Sequence, residues 1–378
     1  MIRPVIQYCR LNKILLLIIG LWPYQQSIFT RFQFIFLSFI LTASIIFQLT
    51  LLVILKCTSN LVLKVLSSVS FYTMFVITYN SFHFNMEDME NLLTELLHVF
   101  NNLKDENEIA IFKKYNFIAK CYTFGLTAFG IFSIFIYILI EYWWNIVDTP
   151  MNVSVPRHLL IITGDFVEEK YFSVITLYMY TVLCISLIIM LATGTMMLTY
   201  LYYICGMFKI ASYRIEHAIN INTLQNITLK SKTLMTQGVI YAVDIHRQAI
   251  KFVSTSTIFV QYLYLNLFQI FEIELSGNNI NEFCLPFLYA TISMIYIFLA
   301  NYIGQNVFDH NIHVFVTVYN VQWYKAPMHI QKMILFLLRR GTKKFTLNVG
   351  GLLDGTIENF ATLTKASISY FTVIYSTR

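Results

Sequence analysis

Six stretches of this chain run long enough to cross a bilayer without meeting Lys, Arg, Asp or Glu: Phe32 to Leu55, Val65 to Met86, Cys121 to Ile140, Tyr171 to Phe208, Phe252 to Phe271 and Phe283 to Phe308. A hydrocarbon core of about 30 Å takes about 20 apolar residues in helix, so each stretch predicts a transmembrane helix. A seventh, Gly355 to Tyr375, is apolar apart from Glu358 and Lys365. Trimmed to the hydrocarbon thickness, the expected crossings are 32–55, 65–86, 121–140, 172–201, 252–271, 283–304 and 355–375. The pattern predicts an all-α integral membrane protein, one domain over residues 1–378.

The fourth stretch stays uncharged for 38 residues, about 57 Å of helix and nearly twice what the bilayer needs. It is expected to project beyond the membrane through Tyr203 to Ile219. Apolar periodicity at Ile240 to Ile250 and Val314 to Trp323 gives the fifth and sixth helices matching flanks. Apolar faces in water need partners, which predicts an intracellular helical bundle and a candidate subunit interface. A short anchor helix is expected over 327–340, with Pro327 in its first turn, Arg339 and Arg340 at its negative end and Gly341 as its stop. Being too short to span, it splits the seventh helix into a cytosolic and a membrane part. The basic run from Arg339 to Lys344 reads equally as an anionic-lipid contact or a solvated turn.

Charge sets the orientation, because Lys and Arg near membrane ends resist translocation. Residues 1–31 and the second, fourth and sixth connections hold 20 of the 26 Lys and Arg; the alternate connections and the tail hold five, Lys365 being the last. The amino terminus is therefore expected in the cytosol and the carboxyl terminus outside. Composition agrees: 57% of residues are hydrophobic, 12% charged, and mean hydropathy is +0.63. The net charge of +6 follows from positive-inside loops, so no nucleic acid is implied.

Arg3, Arg10 and Lys13 ahead of the apolar run Ile14 to Trp22 have the outline of a secretory signal, but Pro23 breaks the run and no small-residue cleavage site follows. A retained helix dipping into the inner leaflet is expected instead. The six cysteines are scattered over both sides and the bilayer, which excludes a disulfide framework; Cys57 and Cys284 alone share the outside. Asn152, in the sequon Asn152-Val153-Ser154, is expected outside and open to glycosylation, used or unused; Asn226 is expected inside and bare.

Ionisable residues within a membrane helix usually face a bundle interior or water. At 100° per residue Asp354, Glu358, Ala361, Lys365, Ser369, Thr372 and Ser376 fall within a sector of about 80°. This polar stripe either lines an aqueous pore built from several cyclically arranged copies, or packs against polar groups of its own bundle with Glu358 and Lys365 paired. The outer halves of the second, third, fourth and sixth helices carry Tyr72, Phe75, Phe132, Phe135, Tyr178, Tyr180, Phe287 and Met294. Such side chains suit a small apolar ligand and equally suit helix packing. Asp309-His310 with His313 has helical spacing for metal ligands, yet no further ligand or His-Glu-x-x-His follows, so no metal is expected. With no phosphate-binding Gly-rich loop and no nucleophile constellation, neither an enzyme nor a cofactor is expected.

Several motifs occur together and in order. They include Gly20-Leu21-Trp22-Pro23, Cys205-Gly206-Met207-Phe208-Lys209, Ser212 to His217, Val243 to Arg247, Asn301-Tyr302-Ile303-Gly304-Gln305-Asn306-Val307, Trp323-Tyr324-Lys325-Ala326-Pro327, Leu337 to Lys343 and Ser367 to Ser376. The ordered set resembles insect odorant receptors, most closely the hymenopteran type, over the whole chain. The resemblance implies a ligand-gated nonselective cation channel in the plasma membrane of an olfactory neuron, binding small volatile or lipophilic odorants. It also implies a hetero-tetramer in which this chain is the tuning subunit and the odorant receptor co-receptor its partner, joined through the cytosolic anchor. Odorants would lie among the outer aromatic residues named above, and the seventh helices would line the pore. Aligning Ser369-Tyr370-Phe371 places the gate at Val373, with Thr377 one turn on where the co-receptor has leucine. A gustatory receptor-like channel is the nearer alternative. A G-protein-coupled receptor is the more distant one, opposed by orientation and by the lack of Asp-Arg-Tyr and Asn-Pro-x-x-Tyr motifs.

Overall fold

A computed structural model describes residues 10–25, 27–54, 59–147, 169–223, 229–256, 280–341, 348–349 and 353–376. The helices among them are α1 (Arg10–Ile18), α2 (Ile28–Ile54), α3 (Ser59–Phe84), α4 (Met86–Asn101), α5 (Glu106–Val147), α6 (Glu169–Thr223), α7 (Leu229–Ser256), α8 (Ile280–Asn320), α9 (Met328–Gly341) and α10 (Ile357–Ser376). Among these described residues, 28–50, 106–136 and 174–219 are long and apolar enough to cross a membrane by length and composition alone.

The central column is α6. Its 55 residues amount to about 82 Å of helix, and α1, α2, α3, α5, α7 and α8 all pack on it. Its lower part, from Tyr200 to Ile219, is buried almost continuously and carries Tyr203, Ile204, Phe208, Ile210, Ala211 and Ile215 into the core. The two flanks with matching periodicity close around it: Val239, Ala242, Ile245 and Ala249 of α7, and Val314 and Val318 of α8, are buried against the same cluster. Gly238 makes one close approach possible, since a Cβ there would stand 2.7 Å from Ala218 Cβ.

Helix α1 is inserted against α6, with Leu16 and Ile19 buried. It ends in a Schellman turn: the Gly20 amide donates to Leu17 O and the Leu21 amide to Leu16 O, with Gly20 at φ 71°, a left-handed conformation that costs glycine little. Two further carbonyls at this end are capped by side chains, Tyr79 Oη donating to Ile19 O at 2.7 Å and Gln33 to Ile18 O. Such capping matters at membrane depth because water is not there to do it. Asn12 Nδ2 donates to Thr199 Oγ1 at 2.8 Å, tying α1 to the column.

The anchor helix α9 starts one residue later than the sequence predicts, because Pro327 serves as its cap, its carbonyl accepting from Ile330 and Gln331. Gln331 Nε2 also donates to Tyr324 O and Ala326 O, closing the Trp323 to Pro327 turn. Gly341 lies inside the last turn rather than beyond it, where a Cβ would collide with the Phe315 ring at 2.6 Å. An element the sequence reading did not anticipate follows. A two-stranded hairpin pairs β1 (Asn348–Val349) with β2 (Leu353–Asp354), antiparallel, in the register Asn348↔Asp354 and Val349↔Leu353. Asp354 is therefore in a strand and not the first member of a helical stripe. Thr356 caps α10, its Oγ1 accepting from the Asn359 amide at 3.3 Å, and Glu358 sits in the first turn where the helix dipole favours it.

Candidate functional site

Three helix faces meet around an apolar cavity of about 110 Å³. From α5 come Leu126, Phe129, Gly130 and Ser133; from α6 Leu187, Leu191, Gly194, Leu198 and Leu201; from α8 Ile292, Ile295, Tyr296, Leu299 and Ile303. Each set repeats every three to four residues, one side of one helix. The gap exists because α5 and α8 both pack closely on α6 while touching each other little. Gly130 and Gly194 lie in its wall, where added Cβ atoms would stand 2.8 Å from Leu191 Cδ1 and 3.2 Å from Tyr296 Cε2. The sequence reading singled out neither glycine, though a small residue amid bulky apolar ones is a signal that could have marked the place.

None of the eight aromatic and soft residues expected to bind ligand lines this cavity. Tyr72 and Phe75 are fully buried in the α3 core, Phe75 in edge contact with Phe71 at 4.8 Å. Tyr178 and Tyr180 are half-buried on α6, and Tyr178 Oη donates to Ile40 O at 3.1 Å, a tie to α2. Met294 is half-buried on α8, between Ile292 and Tyr296 of the cavity wall. Phe132, Phe135 and Phe287 are 61%, 58% and 52% exposed. In a lipid-facing helix both sides are apolar, so hydrophobicity does not separate the core side from the lipid side.

The polar stripe of α10 is turned outward from its own chain. Glu358, Ala361, Lys365, Ser369 and Thr372 are all exposed. An ion pair does form between Arg214 and Glu108. Thr377 lies outside the described residues, as do Asn152 and the side chains of Val373 and Ser376. The root of α10 rests on α8. A Cβ on Gly304 would overlap the Gly355 carbonyl oxygen, so backbone meets backbone there, and Phe298 meets Phe360 edge to face at 5.4 Å. Gly304 directly follows Ile303, the lowest residue of the cavity wall, so α8 touches both the cavity and the striped helix.

Below the membrane the helices are joined by polar side chains. Arg214 grips Glu108 with two hydrogen bonds, Nε to Oε1 at 2.6 Å and Nη2 to Oε2 at 2.9 Å. Tyr213 Oη donates to Asp105 Oδ2 at 3.0 Å, and buried His246 Nε2 meets Asn311 Oδ1 at 2.9 Å. His310 Nδ1 faces Asn306 O at 2.7 Å and Nε2 faces Tyr115 Oη at 2.6 Å. A carbonyl only accepts, so Nδ1 carries the proton and the tyrosine donates to Nε2. His313 Nε2 accepts from Lys209 Nζ at 3.3 Å. Burial holds His246, His310 and His313 below the usual histidine range, and Lys209 presses the last two further. Both ring nitrogens of His310 are thus engaged, Nδ1 within α8 and Nε2 across to α5, and among the described residues no group of three His, Cys, Asp or Glu could hold a metal.

Comparison with known proteins places this architecture. The chain superposes on the insect olfactory receptor OR5 from Machilis hrabei with a TM-score of 0.79 at 15% identity, covering 99% of both chains. The same receptor in complex with eugenol gives 0.76 at 14% identity, over 98% of both chains. Those likenesses establish the seven-helix membrane fold. In sequence, the chain is 25% identical over 146 residues to Odorant receptor 10 of Aedes albopictus, a match covering 36% of this chain and 38% of that receptor. The family described as 7tm Odorant receptor matches residues 54–368, from the end of α2 into α10. The chain belongs to the 7tm odorant receptor family.

Proposed function

We propose that this chain is the odorant-binding subunit of a ligand-gated, nonselective cation channel, acting with the odorant receptor co-receptor in the plasma membrane of an olfactory neuron. The observation that carries the reading is the outward polar face of α10 on a helix rooted against α8. One helix encloses nothing, so the stripe acquires a role only when several copies surround an axis. Glu358, Lys365, Ser369, Thr372 and Ser376 then line the conduit, with the gate at Val373 and Thr377. Membership of a receptor family supports signalling rather than catalysis.

Ligand binding shifts a closed and open equilibrium through its differential affinity for the two states. The ligand is a small lipophilic volatile; a relative with this fold is known in complex with eugenol. Its pocket is proposed in the outer half of the bundle, around Tyr72, Phe75, Tyr178 and Tyr180, with Met294 below them and without the exposed Phe132, Phe135 and Phe287. The crossings and orientation are those read from the sequence, seven helices with the amino terminus inside and Asn152 outside.

Whole-cell current from cells expressing this chain with and without the co-receptor, during a mixed volatile panel and with GDP-β-S in the pipette, tests the reading. Current that requires the co-receptor and survives G-protein block is expected. Current abolished by the block identifies a metabotropic receptor. An epitope at the carboxyl end that labels only after permeabilisation overturns the orientation.

A further inference from the structure

We propose that the cavity between α5, α6 and α8 is a binding site for an acyl chain of a bilayer lipid, separate from the odorant pocket. The cavity lies within the stretches of α5 and α6 that are apolar enough to span. It begins near the middle of the expected crossings and extends toward their cytosolic ends. Its chemistry favours a guest that needs no hydrogen bonds, since the lining is mostly apolar. Of the polar lining residues, Ser133 Oγ donates to Gly130 O at 2.8 Å and Thr195 Oγ1 to Leu191 O at 2.6 Å, so both hydroxyl protons are spent on their own helices. Tyr296 presents ring carbons toward Gly194. A guest that offers only acceptors finds no hydroxyl proton of Ser133 or Thr195 left for it, whereas a hydrocarbon needs none.

Access points to the source. Phe129 lines the cavity and is itself exposed, and α5 beside it carries further exposed apolar side chains at Phe124 and Ile131. The cavity thus adjoins the exposed apolar face of α5, the face a surrounding bilayer would cover. Size agrees: apolar cavities of about 150 Å³ take up a benzene-sized guest, so this one admits a short run of a chain while the rest of the lipid stays in the bilayer. The two wall glycines hold the space open, and the lowest wall residue, Ile303, adjoins the Gly304 contact with the root of α10. Occupancy by a chain thus bears on the same helix whose lower end supports the striped one.

The test uses the full chain in nanodiscs of phosphatidylcholine doped with an analogue carrying a photoreactive diazirine midway along one acyl chain. After irradiation and digestion, adducts are expected on Leu126, Phe129, Leu191 and Leu299, alongside those on outward Phe36, which serves as the internal standard for general lipid contact. Gly194→Leu, and independently Ala300→Leu from the opposite wall, are each expected to reduce the cavity adducts at least fivefold while leaving Phe36 unchanged. Two walls are used so that one misfolded variant does not remove the answer. Adducts on Phe36 without adducts on the cavity residues overturn the proposal, as does cavity labelling that neither variant reduces. Labelling by a free diazirine-bearing alkane but not by the lipid also overturns it, and makes the cavity a site for a free hydrocarbon. Because the readout is labelling and not current, it stands whether or not the channel reading holds.

Discussion

Along α6 the same helix is held in two ways. From Phe208 to Ile219 it lies in a core where Arg214, Tyr213 and Lys209 reach charged or polar partners on α5 and α8, and where the neighbouring α7 and α8 are joined by His246 and Asn311. Between Val174 and Leu201 its hydroxyls mostly turn back on their own turn, as Thr181, Thr193, Thr195 and Thr199 do, and its neighbours leave a cavity. The difference has a physical origin. In water, burying apolar surface drives helices together and polar ties add direction; in lipid, the surroundings are as apolar as the side chains, so packing alone must hold them. Polar ties between α6 and its neighbours therefore concentrate in the lower half of the helix.

The largest test of that contrast removes the Arg214 clamp. Arg214→Ala leaves Glu108 buried without its cation, which is expected to destabilise the chain by about 3 kcal/mol in thermal melts of the detergent-purified protein. A loss below 1 kcal/mol would show that the cytosolic half does not depend on it. Next is Gly304→Ala, which forces a methyl against the Gly355 backbone and costs about 1–3 kcal/mol as local overpacking. Evoked current is expected to fall at least tenfold with surface delivery intact; unchanged current would disconnect α8 from α10.

Acid should act on the cytosolic half selectively. Folding depresses the affinity of His246, His310 and His313 for protons, so below about pH 6.5 the unfolded chain binds more protons and stability falls. His310 is flanked by Lys209 and Asp309, His313 by Lys209, His310 and Glu216, and His246 by Arg340. Melting temperature is expected to fall between pH 7 and pH 5.5, and His310→Gln with His313→Gln to flatten that slope. The smallest effect belongs to the exposed face of the membrane half: Phe132→Ala should change stability by less than about 0.5 kcal/mol and leave ligand responses unaltered. A lost response would return Phe132 to the pocket.

The stripe of Glu358, Lys365, Ser369 and Thr372, the cytosolic extension of α6 and the short anchor helix were legible because each sets polar residues against apolar ones, a contrast that water or a pore enforces. Even the anchor's limits were read to within a residue at Pro327 and Gly341. The hairpin at Asn348 to Asp354 escaped, since two paired residues per strand leave too short an alternation to see, and the Gly350-Gly351 pair alone does not fix a register. The cavity escaped for a different reason. Leu126, Leu191 and Leu299 look in sequence like any lipid-facing leucine, just as the exposed Phe132 and Phe135 look like any core phenylalanine. By itself the sequence determined where the long apolar stretches lie, which connections carry positive charge and which family motifs occur in order; the fifth stretch lies mostly outside the described residues. Only tertiary packing decided which apolar face turns inward, that α5 and α8 stand apart across α6, and that Gly304 meets Gly355, because in a hydrocarbon solvent those choices rest on shape and not on hydrophobicity.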